Sequence, residues 1–176
     1  MLRAPLLGCP VEAVQTSFRT DRRFGGRAGT AFHAPALAKQ QRGIIAEVDE
    51  LGTASVVLMG GIAAEAMHYG VADGGTSDER ALLEMCMHHN RAIFALTLDG
   101  LGDGSDEKIC ERELDAAALA RWGAANAVLM LRTYNIEYEA LCAALRRDSS
   151  VGECCVCVES ARRARVDKGG EHIYIT

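Results

Sequence analysis

From residue 35 onward the apolar positions recur every three or four residues, the spacing that lines one face of a helix. Pro35 suits a first helical turn. Leu37, Ile44, Ile45, Val48 and Leu51 then share a face, with Gln41 as the polar exception and Gly52 as the stop. A second helix is expected over 53–69, with Thr53 as its cap and Gly70 as its end. Val56, Val57, Met59, Ala63, Ala64 and Met67 cover so much of its circumference that it should be buried. Gly60 and Gly61 inside it cost roughly 1 kcal/mol each against Ala, which suggests close approach by another backbone.

After the Gly-rich segment 71–77, Thr76 to Glu79 reads as a capping box. It opens a third helix through Leu82, Leu83 and Cys86 toward Ile93 and Leu96. Residues 99–108, with Gly100, Gly102 and Gly104, read as an exposed turn. The clearest period follows over 111–133. Leu114, Ala118, Trp122, Ala125 and Leu129 form its expected inward face, and Trp122 its core anchor. Asn135 interrupts that helix. A fifth runs over 137–147 with Tyr138, Leu141, Cys142 and Leu145 inward. A second capping box, Ser150 to Glu153, opens a sixth that carries Cys154, Cys157, Val158 and Ala161. Arg162, Arg163 and Arg165 near its end suit the helix dipole. Residues 1–33 show no sustained period. The tail 167–176 contains a Gly-Gly pair before a short apolar stretch, either an added strand or a docking tail.

The expected fold is therefore all-α, an irregular bundle of about six helices over 34–166, with an irregular arm before it. Composition agrees. Hydrophobic residues make up 49% of the 176 and aromatics only 5%, so Ala, Leu, Val, Met and Cys must fill the core. The net charge of -5 argues against a general nucleic-acid surface. The longest apolar run, 54–64, is too short to span a bilayer, so a soluble or peripheral protein is expected. The arm is rich in Arg but contains Glu12 and Asp21; it reads either as a transit-like segment or as an extended arm on a partner. The cysteines number seven, an odd count, and most lie within helical patterns. They read as small core residues of a reducing compartment, and Cys154, Cys155 and Cys157 lack the spacing of a zinc site.

Residues 60–79 read GGIAAEAMHYGVADGGTSDE. This resembles the segment of FtsH-type zinc metalloprotease domains in which GG-x-AAE lies on a helix and an Asp follows a Gly-rich loop. The stretch from Arg121 and Trp122 through Val128, Leu129, Leu131, Arg132 and Leu141 to Ser150, Val151, Gly152, Glu153 and Cys154 is similar to related plant and algal plastid proteins. The likeness covers about residues 53–161, and 81–112 fit it poorly. It implies a helical peptidase-like frame and a chloroplast location, with Asp78 at the position of the third zinc ligand. The family's chemistry needs H-E-x-x-H, two His on one helical face with a Glu as base. That motif is absent. The nearest remnant is His33, followed by Ala34 where the Glu would stand and Leu37 where the second His would stand. His33 and Asp78 are two ligands of a required three, with no base, so no catalytic, metal or cofactor site is expected. No Walker A sequence is present either.

Other constellations are weaker. Cys86 and His89 share a helical face but make at most two ligands, and packing is the preferred reading. His68 suits a helix C-terminus. The Gly74-Gly75 loop before a helix is crowded by Asp73, Asp78 and Glu79, which repel an anion. Glu107, Glu111, Glu113 and Asp115 read as a solvated face. The expected function is a non-catalytic scaffold or accessory subunit of a larger plastid assembly, with protein partners, no nucleic acid and no transmembrane segment. The alternatives are a metal-dependent hydrolase with an unrecognised ligand set and a thiol-based stress sensor.

Overall fold

The computed structural model describes residues 11–15, 29–98 and 113–167. The fold is all-α, an irregular set of helices with one short strand pair. The helices are α1 (Pro35–Gln41), α2 (Val48–Leu58), α3 (Gly60–Tyr69), α4 (Thr76–Leu98), α5 (Ala116–Thr133), α6 (Asn135–Arg146) and α7 (Val151–Asp167). The strands β1 (Val11–Gln15) and β2 (Gly29–Phe32) pair antiparallel, with an irregularity between Val11 and Ala13. They stand in the segment whose sequence shows no period. The suggested C-terminal strand lies outside the described residues.

The chain divides into two compact units, residues 34–129 and residues 1–33 with 130–176. In the unit 34–129, several boundaries differ from the expected ones: Thr53 lies inside α2 instead of capping a helix, α5 starts at Ala116 with Leu114 before it, and two breaks among α1 to α3 fall elsewhere. The first helix stops at Gln41 because Gly43 adopts φ 69° and closes a Schellman motif: the Gly43 amide donates to the Gln40 carbonyl and the Ile44 amide to that of Lys39. Of the apolar residues that seemed to continue α1, Ile44 and Ile45 lie in the connecting segment, and Val48 and Leu51 belong to α2. There Glu50 accepts the amide of Glu47 at 2.9 Å and the ammonium of Lys39 at 2.7 Å, tying α1 to α2. Gly52, expected as a stop, sits inside α2.

The second boundary is at Met59, where α2 passes into α3. The glycines beside it mark this break. Gly61 is exposed, and a Cβ there would meet nothing within 4 Å, so it is not a point of backbone contact. The close approach falls elsewhere. Gly123 of α5 lies on Ser55 of α2, and a Cβ at 123 would stand 2.8 Å from the Ser55 backbone. Ser55 is fully buried and its hydroxyl donates to the Gly52 carbonyl at 2.7 Å. Taken together, Val48–Tyr69 is long and apolar enough by length and composition to cross a membrane. Here Leu51, Ala54, Val56, Leu58 and Ala63 are buried within the fold as a core-helix face.

The other unit is a helical hairpin with the strand pair. Leu141, Ala144 and Cys154 form its core, with Tyr138, Leu145, Cys157 and Val158 packed around them. A second Schellman motif ends α6, with Asp148 at φ 58° in place of glycine. The Ser150–Glu153 capping box forms as expected: Glu153 accepts the Ser150 amide at 2.7 Å and the Ser150 hydroxyl accepts the Glu153 amide at 3.3 Å.

Candidate functional site

The residues singled out by chemistry have structural positions. His33 is exposed just after β2. Asp78 lies in the first turn of α4, half-buried, and burial raises its carboxyl above the usual range. Its amide donates to the Gly75 carbonyl, as does that of Glu79. Gly75 therefore supplies the first acceptor of α4, and Thr76 lies inside the helix instead of capping it. Gly75 holds φ 96°, and a side chain there would collide with Ile62 of α3. Glu65, the Glu of the GG-x-AAE segment, accepts the Gly74 amide at 3.0 Å. Its carboxylate closes the Gly-rich loop onto α3. Among the described residues, no three His, Cys, Asp or Glu side chains gather in a group able to hold a metal ion.

Cys86 and His89 are both buried on α4. His89 Nδ1 lies 3.0 Å from the Ala46 carbonyl oxygen. A carbonyl only accepts, so Nδ1 carries the proton, and the ring ties α4 to the segment before α2. Burial, then the charge of Asp115, pushes the Cys86 thiol above its ordinary pKa. Nearby, Asn90 donates to the Leu114 carbonyl and accepts the Leu114 amide, at 3.0 and 2.9 Å. This pair fixes the segment that enters α5. The Cys154 thiol is buried, faces the Ser149 carbonyl at 3.8 Å, and is likewise raised by burial. Cys155 is exposed. His68 lies in the last turn of α3, its ring edge-on to Tyr69.

The feature the sequence placed wrongly is the face of α5. Ala118, Trp122, Ala125 and Leu129 were expected to point inward, and they are exposed. Trp122 is 51% and Leu129 62% accessible. One edge of the indole packs 3.5 Å from the point where a Gly52 Cβ would be; the remainder is open. The buried face is the opposite one, Gly123, Ala127, Met130 and Leu131. The helix is apolar on both sides, so periodicity alone could not choose between them. Gly123 was the available clue, since a helix-interior glycine marks where another backbone comes close. A second open apolar row, Leu83, Met87 and Phe94, runs along α4. The candidate functional site is thus a surface. Comparison with protein-family models, curated proteins and solved structures gives no match to this chain.

Proposed function

We propose that this chain is a non-catalytic scaffold or accessory subunit of a larger protein assembly, built on a degenerate FtsH-type peptidase frame and located in the plastid. The observation that carries the reading is the open face of α5. Large exposed apolar side chains scattered singly are ordinary, but an aligned row on a helix whose other face is already buried points to a partner. The residues of the GG-x-AAE segment support it from the other side. Glu65 closes a loop and Asp78 sits in a helix first turn, each with a structural use.

Native electrophoresis of the tagged chain at its natural abundance tests this. The expected result is migration in a species several times the 18.9 kDa chain mass, in the plastid fraction. Leu129→Glu or Met87→Glu should release it. Migration as a free chain would overturn the assembly. Stoichiometric zinc in the purified protein, lost on Asp78→Ala, would overturn the non-catalytic reading.

A further inference from the structure

The outward face of α5 follows a strict spacing. Asp115, the residue before α5 whose carboxylate accepts the Ala117 amide at 2.8 Å, and then Ala118, Trp122, Ala125, Leu129 and Arg132 on the helix stand at intervals of three, four, three, four and three, and all are exposed. This is the spacing of the core positions in a left-handed helix pair. Asp115, Trp122 and Leu129 occupy one core position of the heptad, and Ala118, Ala125 and Arg132 the other. We propose that this seam pairs with the same seam of a second copy of the chain, antiparallel and two-fold symmetric.

The side chains specify both the occupant and its direction. When a copy is laid antiparallel about the point between Gly123 and Ala124, the two core positions alternate across each layer. Trp122 then faces Ala125, Leu129 faces Ala118, and Arg132 faces Asp115, each twice by symmetry. Every apolar layer sets a large side chain against a small one, the arrangement that lets facing helices interdigitate. Both ends of the seam, roughly 26 Å apart by helical rise, carry opposite charges. Parallel pairing would set indole on indole, Arg132 on Arg132 and Asp115 on Asp115, a clash of size in one layer and of charge in two. A self-complementary patch of this kind is what a two-fold dimer requires. The seam is short, so the dimer belongs among weak interfaces and should dissociate on dilution through about the micromolar range.

The pairing rests on the reading of the chain as an assembly subunit and names a second copy as one of its partners. Sedimentation of the purified full chain across a concentration series tests it. The expected result is a monomer–dimer equilibrium reaching twice 18.9 kDa. Leu129→Glu and Ala125→Glu change exposed side chains, so both should keep the helical circular dichroism while weakening the dimer at least tenfold. Arg132→Glu and Asp115→Lys should each weaken it alone, the second also removing the cap on the Ala117 amide, which circular dichroism reads separately. Mixed one to one, those two variants should form a heterodimer close to wild-type strength, since both end layers again carry opposite charges. A wild-type chain that stays monomeric, a dimer indifferent to Leu129→Glu, or a mixture without rescue would each overturn the proposal. A chain monomeric in isolation yet found in a large native complex removes the pairing and leaves the assembly reading standing. A chain that dimerises through α5 but forms nothing larger does the reverse.

Discussion

Gly52 and Gly123 show how one residue type answers to different constraints. Gly123 has no room: the Ser55 backbone carbonyl lies 2.8 Å from where its Cβ would be, and backbone cannot swing aside. Gly123→Ala gains about 1 kcal/mol of helix propensity but incurs overpacking of about 1–3 kcal/mol. The net change should be destabilising in denaturant melts. At Gly52 the nearest atoms are the Trp122 ring at 3.5 Å, an ordinary contact, so Gly52→Ala should keep most of its ~1 kcal/mol gain. Two carboxyls give opposite pH signs. Burial raises Asp78, so its contribution is fully present below the unfolded carboxylate pKa and is lost as pH rises through the higher folded one. Asp78→Asn should therefore stabilise the protein at neutral pH and change little in acid. The Ser150 amide and hydroxyl hold Glu153 below its usual range, so its contribution exists above the unfolded pKa and is lost as pH falls through the folded one. Glu153→Ala should cost stability at neutral pH, with the difference closing in acid. Thermal melts of both variants across the carboxylate range would separate these signs.

At the scale of elements, the α6–α7 hairpin is held by a contact that periodicity does not reveal. Arg165 Nε donates to Glu137 Oε1 at 2.8 Å, and its guanidinium lies 5.3 Å from the centre of the Tyr134 ring. Glu137 is 1% exposed, and among the described residues its Oε2 has no hydrogen-bond partner. Removing the cation leaves a buried carboxylate uncompensated, so Arg165→Ala should destabilise the hairpin by about 3–5 kcal/mol in equilibrium unfolding. The sequence offered Arg165 only as a helix-dipole residue and Glu137 only as a helix start. Their pairing joins residues 28 apart and depends on how two helices cross. Local signals were legible where they were self-contained, as at Gly70, at the Ser150–Glu153 box and at the interruption near Asn135. They misled where two signals overlapped. Ile44, Ile45 and Val48 carried the helical period across Gly43, whose left-handed conformation ends α1.

For the whole molecule, helical spacing and the scarcity of aromatics were enough to indicate an all-α fold, because neither depends on which faces meet. The surface was not legible for the reason given by α5: a helix apolar on two sides has two equally good inward faces. The strand pair was hidden because β1 and β2 are only five and four residues long, too few to display a period. The thiols follow burial across both units. Cys86 and Cys154 are buried and raised, so site-resolved alkylation of the native protein should leave them unmodified until global unfolding. The exposed Cys155 should react at once. Rapid native modification of Cys86 or Cys154 would revive the thiol-sensor alternative.

Trp122 is the chain's only tryptophan, and half of its indole is open on the face of α5. The protein therefore contains its own optical gauge of that surface. Alone in solution it should fluoresce toward the red and be readily quenched by acrylamide. Any occupant of the seam should shift the emission to the blue and shield it, without a label or a tag. The same measurement on Leu129→Glu should show whether the indole is hidden by what binds there or by the fold that carries it.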